Sequence, residues 1–131
     1  MNRIIIASGP VIVENGKVLV NKHGDTNFWK FCGGRVEDFN ESLWEAAQRE
    51  AKEEVGVELE LLDPEPYLMH TSKQTDAGVV DVLLVHFLAK RIGDVKPGPD
   101  IRETTWLDTS GLPEDLGPNI VPALRHFGLL K

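Results

Sequence analysis

The segment SLWEAAQREAKEEVG, Ser42 to Gly56, constrains the fold more than any other part of the chain. Both of its ends are marked. Ser42 and Glu45 have the S-x-x-E spacing of a capping box, in which each side chain takes up a backbone N–H that the first helical turn leaves free. Gly56 stands where helices end in a left-handed residue. A helix is therefore expected over residues 43 to 55. On a wheel of ~100° per residue, Leu43, Ala46 and Ala47 form an apolar stripe, with Glu45, Gln48 and Lys52 on the polar side. Glu50 and Glu54 fall inside that stripe, and Glu53 borders it.

Acid-rich helices are usually solvated faces laced with i, i+4 pairs, and Arg49 stands at that spacing from Glu53. The wheel argues otherwise for two of the acids. Carboxylates at i, i+3 and i+4 converge, and partly buried ones repel one another and lose hydration. Arg49 cannot neutralise all three. A hard divalent cation, Mg²⁺ or Mn²⁺, meets the need, because it takes carboxylate oxygens and keeps waters and substrate phosphates as its other ligands.

The remaining segments surround this helix with strands. VIVENGKVLV places two β-branched runs around Asn15-Gly16, the signature of a type I′ hairpin. A strand start is expected at residues 3 to 6, a short aromatic strand at FWKFCGG, and strands at 57–62, 67–72, 79–90 and 103–107. NKHGDTN, RVEDFN, GDVKPGPD and TSGLPEDLGPN are loop-like, and IVPALRHFGLL closes the chain as a second helix. The expected architecture is α/β, a mixed sheet sandwiched between helices. The length, 131 residues, suits one domain spanning residues 1–131. A net charge of −7 argues against polyanionic partners, so neither a nucleic-acid polymer nor a membrane is expected. A small phosphorylated ligand stays compatible, since a bound cation reverses the local sign. Cys32 is the only cysteine, which excludes an intrachain disulfide and fits a cytoplasmic setting. The run VVDVLLVHFLA is interrupted by Asp81 and His86 and is too short to span a bilayer.

The stretch from Glu41 to Val57 resembles the signature of the Nudix hydrolase family. After Glu41 come seven residues and then Arg49-Glu50-Ala51-Lys52-Glu53-Glu54-Val55-Gly56-Val57, which match each specified position of that box. The hairpin, the FWKFCGG entry, the RETTWLD strand and the last helix are similar to the family's layout. The resemblance implies a Nudix fold and a Mg²⁺- or Mn²⁺-dependent hydrolase of nucleoside diphosphates linked to another group. It implies that Glu50 and Glu54 ligate the metal and that Glu53 is a ligand or the general base. Glu41 becomes an outer ligand, Arg49 orients a glutamate, and a carbonyl of Gly33 or Gly34 reaches the metal. One departure stands out. Six residues, Arg35 to Asn40, separate Gly34 from Glu41 where the family has five, and Asn40 occupies a glycine position. Asn40 is expected at positive φ, with the extra residue bulging outward and Glu41 kept on the metal side. Cys32 replaces a common proline.

Several other residues have weaker cases. Trp29 and Phe31 are candidates for stacking on a base, against the ordinary core role of aromatics. Asp100 is a candidate extra ligand or base, against a polar loop residue; Glu103 has a lesser claim. Asn119 resembles an asparagine that reads the base in MutT-like relatives, and helix N-capping explains it as well. Lys22 and His23 are read as exposed loop residues rather than phosphate contacts. His70, His86 and His126 have no metal-like spacing. The favoured function is MutT-like cleavage of a nucleoside triphosphate to a monophosphate and pyrophosphate, by a monomer or homodimer. An ADP-ribose or nucleotide-sugar hydrolase is the second enzyme reading, and a non-catalytic nucleotide-binding module is the alternative of another class.

Overall fold

The computed structural model describes residues 4–130. The elements in chain order are β1 (Ile4–Glu14), β2 (Lys17–His23), β3 (Gly34–Arg35), α1 (Leu43–Val55), β4 (Glu58–Leu61), β5 (Tyr67–Thr75), β6 (Gly78–Ile92), β7 (Ile101–Asp108) and α2 (Ile120–His126). The strands join in the order β4-β6-β1-β2-β7, with β3 added on β1 and β5 on β6. The sheet is mixed because β1 runs parallel to β6, from Ile4 opposite Asp81 to Ile12 opposite Ala89. The other pairings are antiparallel.

The Asn15-Gly16 turn forms as expected, with φ of 50° and 76° at its two centres. It registers β1 on β2 only at Val13↔Val18 and Glu14↔Lys17. Further along, β1 leaves β2 and pairs with β3 at Ala7 and Ser8. Residues 28–33 lie in the gap between them. They make only isolated bridges, at Trp29 and Lys30, so the aromatic strand expected at FWKFCGG is not a strand. Its backbone is engaged elsewhere: Lys30 exchanges two hydrogen bonds with Asn21, and Trp29 donates to Asp115.

Alternation along the strands sends side chains to two faces. Ile12 and Leu19 pack with Ala51 and Val55 of α1 and with Cys32, Val57, Leu59 and Ala89. Their neighbours Val11, Val18 and Val20 pack with Phe31 and with Ile120, Ala123 and Leu124 of α2. The sheet is thus sandwiched between α1 and α2. Apart from the FWKFCGG segment the expected strands form, with β5, β6 and β7 longer than expected and β4 shorter. Helix α2 stops at His126, short of the expected end. Residue 3, at the expected strand start, lies outside the described residues. No helix among the described residues is long and apolar enough to cross a membrane.

Candidate active site

Helix α1 forms with the expected caps. Ser42 Oγ accepts from Glu45 N, Glu45 reaches back to Ser42 N, and Gly56 takes φ 71° at the C-terminal cap. Ala46, Ala47, Ala51 and Val55 are fully buried, which fixes the rotation of the helix on the sheet. That rotation carries Glu50 and Glu54 inward: their side chains are only 12% and 10% exposed. Glu53 turns outward at 57%. The wheel therefore locates two of the acids in a buried environment and the third at its rim.

Polar partners hold each carboxylate. Glu54 Oε2 accepts from Gly33 N at 3.0 Å, and Glu54 Oε1 lies 2.7 Å from His23 Nε2. Arg49 spans three acids. It grips Glu41 with Nε and Nη2 at 2.8 and 3.0 Å, and its Nη1 donates to Glu50 at 2.9 Å and to Glu53 at 3.4 Å. A fork of this kind is charge-assisted and geometrically specific. It lowers the pKa of Glu41, chiefly through the hydrogen bonds themselves. Glu50 behaves oppositely. Burial, then its hydrogen bond to Glu54 and the Glu54 charge, raise its pKa to about 7, with Arg49 opposing.

Room for Glu50 depends on Gly34. A Cβ at Gly34 would lie 2.5 Å from Glu50 Oε1, so β3 passes over the carboxylate only because the residue lacks a side chain. Two cavities meet at Glu50. One, of about 230 Å³, is lined by His23, Gly33, Glu50, Glu53, Glu54 and Asp100. The other, of about 490 Å³, is lined by Arg35, Glu41, Arg49 and Glu50. Asp100 is exposed but faces the same cavity as the helix acids.

Among the described residues, no three His, Cys, Asp or Glu side chains already stand together in coordination positions. The carboxylates are engaged with Arg49, His23 and the Gly33 N–H instead. Their chemistry nonetheless fits a hard cation. Oxygen donors predominate, half-buried Glu50 interacts with buried Glu54, and of the two only Glu50 receives a bond from Arg49.

Several expectations change. Asn40 is not at positive φ; among the described residues Asn15 is the only non-glycine residue there. The longer loop turns by another device. Asp38 O accepts from Glu41 N and Asp38 Oδ1 accepts from Asn40 N, so an aspartate-headed turn replaces the glycine. Phe39 projects fully into solvent, and Glu41 still faces Arg49. Phe31 is buried in the α2-side core, edge-on to His86 at 5.0 Å. Trp29 packs against the same cluster with Lys22 Nζ 4.4 Å above its ring. Lys22 is also paired with Asp115 and Glu103, away from the acids. Cys32 is buried, and burial pushes its thiol pKa up, which disqualifies it as a nucleophile.

Asn119 precedes α2 but makes no side-chain cap bond. Its amide nitrogen lies 2.8 Å from His86 Nε2. The amide can only donate there, so Nε2 accepts and the ring hydrogen sits on Nδ1. Burial pulls the His86 pKa down to about 4, against a smaller opposing effect of the Gly9 backbone. Its folded pKa is thus below the ordinary value of 6.5, and the unfolded chain binds the extra proton first. Stability tied to His86 is complete above pH 6.5 and is lost as pH falls toward 4. In urea unfolding, the native protein should lose up to roughly 3 kcal/mol more across that window than His86→Gln. Parallel pH curves for the two proteins would show that His86 carries no such linkage.

His23 is the residue the sequence reading missed. The segment NKHGDTN reads as a polar loop, yet β2 continues to His23. Period-two alternation from Leu19 through Asn21 puts His23 on the α1 face, a signal the surrounding Asn, Lys, Gly and Asp obscured.

Comparison with known proteins agrees with this geometry. The NUDIX domain model matches residues 4–127. No curated protein matches the sequence significantly. Among solved structures, the MutT NUDIX hydrolase from Burkholderia pseudomallei has a TM-score of 0.76 at 24% identity, over 95% of this chain and 98% of that one. A NUDIX-family hydrolase from Clostridium perfringens has a TM-score of 0.76 at 22% identity, over 96% and 97%. A UDP-X diphosphatase has a TM-score of 0.70 at 17% identity, over 96% of this chain and 63% of that one. At these identities the structures speak for the fold. Hydrolases of this family cleave pyrophosphate bonds in small nucleotide substrates and generally use a divalent metal. With the domain model spanning nearly the whole chain and the glutamates of α1 gathered beneath Gly33 and Gly34, the chain belongs to the Nudix hydrolase family.

Proposed function

We propose that the chain is a Mg²⁺- or Mn²⁺-dependent pyrophosphohydrolase that cleaves a nucleoside triphosphate to a monophosphate and pyrophosphate, as a MutT-like enzyme. The observation that carries the reading is the inward-facing Glu50–Glu54 pair under Gly33 and Gly34, with Arg49 bonded to Glu50. The MutT-like substrate is supported by the likeness to the Burkholderia protein over nearly the full length of both chains.

In this reading Glu50 and Glu54 hold the cation, Glu41 serves as an outer ligand, and a carbonyl of Gly33 or Gly34 completes the protein's share. When bound, the cation supplies charge neutralisation at the pyrophosphate and acidifies a water. Glu53, exposed at the rim of the same cavity, takes the proton from the attacking water. Arg49 keeps Glu41 and Glu50 oriented through its fork. Asp100, which lines the same cavity, is the candidate extra ligand or base. Asn119 remains a candidate base reader through Oδ1 alone, since it makes no cap bond but its amide nitrogen is held by His86 Nε2. The chemistry is mainly positioning and electrostatics, and a helix locked by buried alanines is a rigid platform for it.

The test is hydrolysis in ¹⁸O-labelled water of several nucleoside triphosphates, including an oxidised guanine form, with and without Mg²⁺. Monophosphate and pyrophosphate should appear together, with label in one of them through a single displacement. Inorganic phosphate as the first product, or rapid cleavage of ADP-ribose with no triphosphate turnover, would reject the MutT-like reading. Absence of metal-dependent turnover with every nucleotide would favour a binding module.

A further inference from the structure

His23 stands apart from the acids of α1 in sequence and chemistry, yet it meets them in space. It ends β2, on the face that carries Leu19 and Asn21 toward α1. Its backbone is placed by two features. The β2–β7 register shifts between Lys22 and His23, so that His23 pairs with Ile101 and Arg102 is left out of the ladder. Such a bulge re-aims the chain beside it, and Arg102 is tied down by donating to Thr26 O. The next residue, Gly24, donates its N–H to Asp100 O at 3.3 Å. The end of β2 and the start of β7 therefore close one side of the 230 Å³ cavity.

Within it, Glu54 is held at both oxygens. Gly33 N donates to Oε2 at 3.0 Å, and His23 Nε2 lies 2.7 Å from Oε1. An ionised carboxylate only accepts, so Nε2 carries the hydrogen in this contact. Nδ1 is buried and has no partner, so the imidazole has a single directional bond, and it is spent on Glu54. One bond to a carboxylate leaves it free to rotate about its last torsion; a bond to each oxygen stops that rotation. Lone pairs on both oxygens remain available to a cation.

We propose that His23 is a positioning residue for Glu54: its Nε2–H, together with the Gly33 N–H, fixes the carboxylate plane in the orientation that receives the divalent cation. The proposal rests on the reading of Glu54 as a metal ligand. It assigns no coordination to the imidazole itself. Partners that orient ligating side chains in this way typically change metal affinity by about 10–100-fold when removed.

The test measures Mn²⁺ binding directly, by the electron paramagnetic resonance signal of the free ion, in the native protein and in His23→Leu and His23→Gln. Leucine fills similar space without a donor, whereas the glutamine amide restores an N–H near the position of Nε2. His23→Leu is expected to weaken Mn²⁺ binding by about 10–100-fold, and His23→Gln to recover most of it. Spin-echo modulation of the bound Mn²⁺ in the native protein should show no nitrogen of a directly bound imidazole. Three results would each overturn the proposal while leaving the metal site standing: unchanged affinity in His23→Leu, no recovery in His23→Gln although circular dichroism shows it folded, or a directly coordinated imidazole nitrogen. A native protein that binds no Mn²⁺ would overturn the metal reading and this proposal together. Because no nucleotide is present, failure of the MutT-like substrate assignment cannot imitate any of these outcomes.

Discussion

Glu54→Gln and Glu53→Gln are each expected to lower turnover by a hundredfold or more, for different reasons. A hundredfold corresponds to about 2.7 kcal/mol of lost transition-state stabilisation, which is within reach of a lost metal ligand or a lost general base. Glu54 is 10% exposed and receives two hydrogen bonds. Its replacement removes the charge that a cation needs while keeping the shape, so metal affinity and turnover should fall together. Glu53 is exposed and holds only a 3.4 Å contact to Arg49. Its replacement should leave metal affinity nearly intact and act on turnover alone. Neither change threatens the fold, because the buried alanines of α1 carry its packing. In the absence of metal, Glu54→Gln should be at least as stable as the native protein, since it removes the charge that raises the pKa of Glu50. Mn²⁺ titration and turnover on the same preparations separate the two roles. Near-native turnover in both variants would remove these residues from the catalytic assignment.

The difference between what the sequence announced and what it concealed follows from range. Local rules were sufficient for α1, because the Ser42–Glu45 box and Gly56 act within a turn of the helix. They were sufficient for the Asn15-Gly16 hairpin for the same reason. The inward direction of Glu50 and Glu54 was also legible, because the buried alanines that fix the helix rotation lie in the same segment. Segment 28–33 resembles a strand in sequence because aromatic residues favour strands. Its true place depends on Asn21, which pairs with Lys30 through the backbone and donates from its side chain to Cys32 Sγ at 3.1 Å. Asn40 departs from the expected positive φ because, in the longer loop, Asp38 caps the turn. His23 and Asp100 belong to different loops in the sequence, and only the β2–β7 pairing brings both to the cavity. The Asn119–His86 bond is similarly long-range, joining α2 to β6.

A second large effect is expected far from the carboxylates in sequence. Gly9 lies in β1, where the backbone of Cys32 and Gly33 crosses it. A Cβ at Gly9 would sit 1.9 Å from Cys32 O and 2.7 Å from Gly33 Cα. These are backbone atoms, so no side-chain rotation relieves the clash. Nor is β1 free to withdraw, because it is paired with β6 from Ile4 to Ile12 and Gly9 lies opposite His86 in that ladder. Segment 28–33 is held on its other side by the Asn21–Lys30 bonds. Overpacking ordinarily costs ~1–3 kcal/mol, and a clash between two fixed backbones belongs at or above the top of that range. For a chain of this size, Gly9→Ala should lower the melting temperature by about 10 °C or more. The same displacement would draw Gly33 N away from Glu54 Oε2, so Mn²⁺ affinity should fall even at temperatures where the variant is folded. Melting curves and metal titration of Gly9→Ala, set beside the exposed-loop control Gly111→Ala, test both parts. A variant that melts within a degree or two of the native protein would show that the Gly9–Cys32 approach is looser than the structure has it. One that melts low yet binds metal normally would uncouple the crossing from the site.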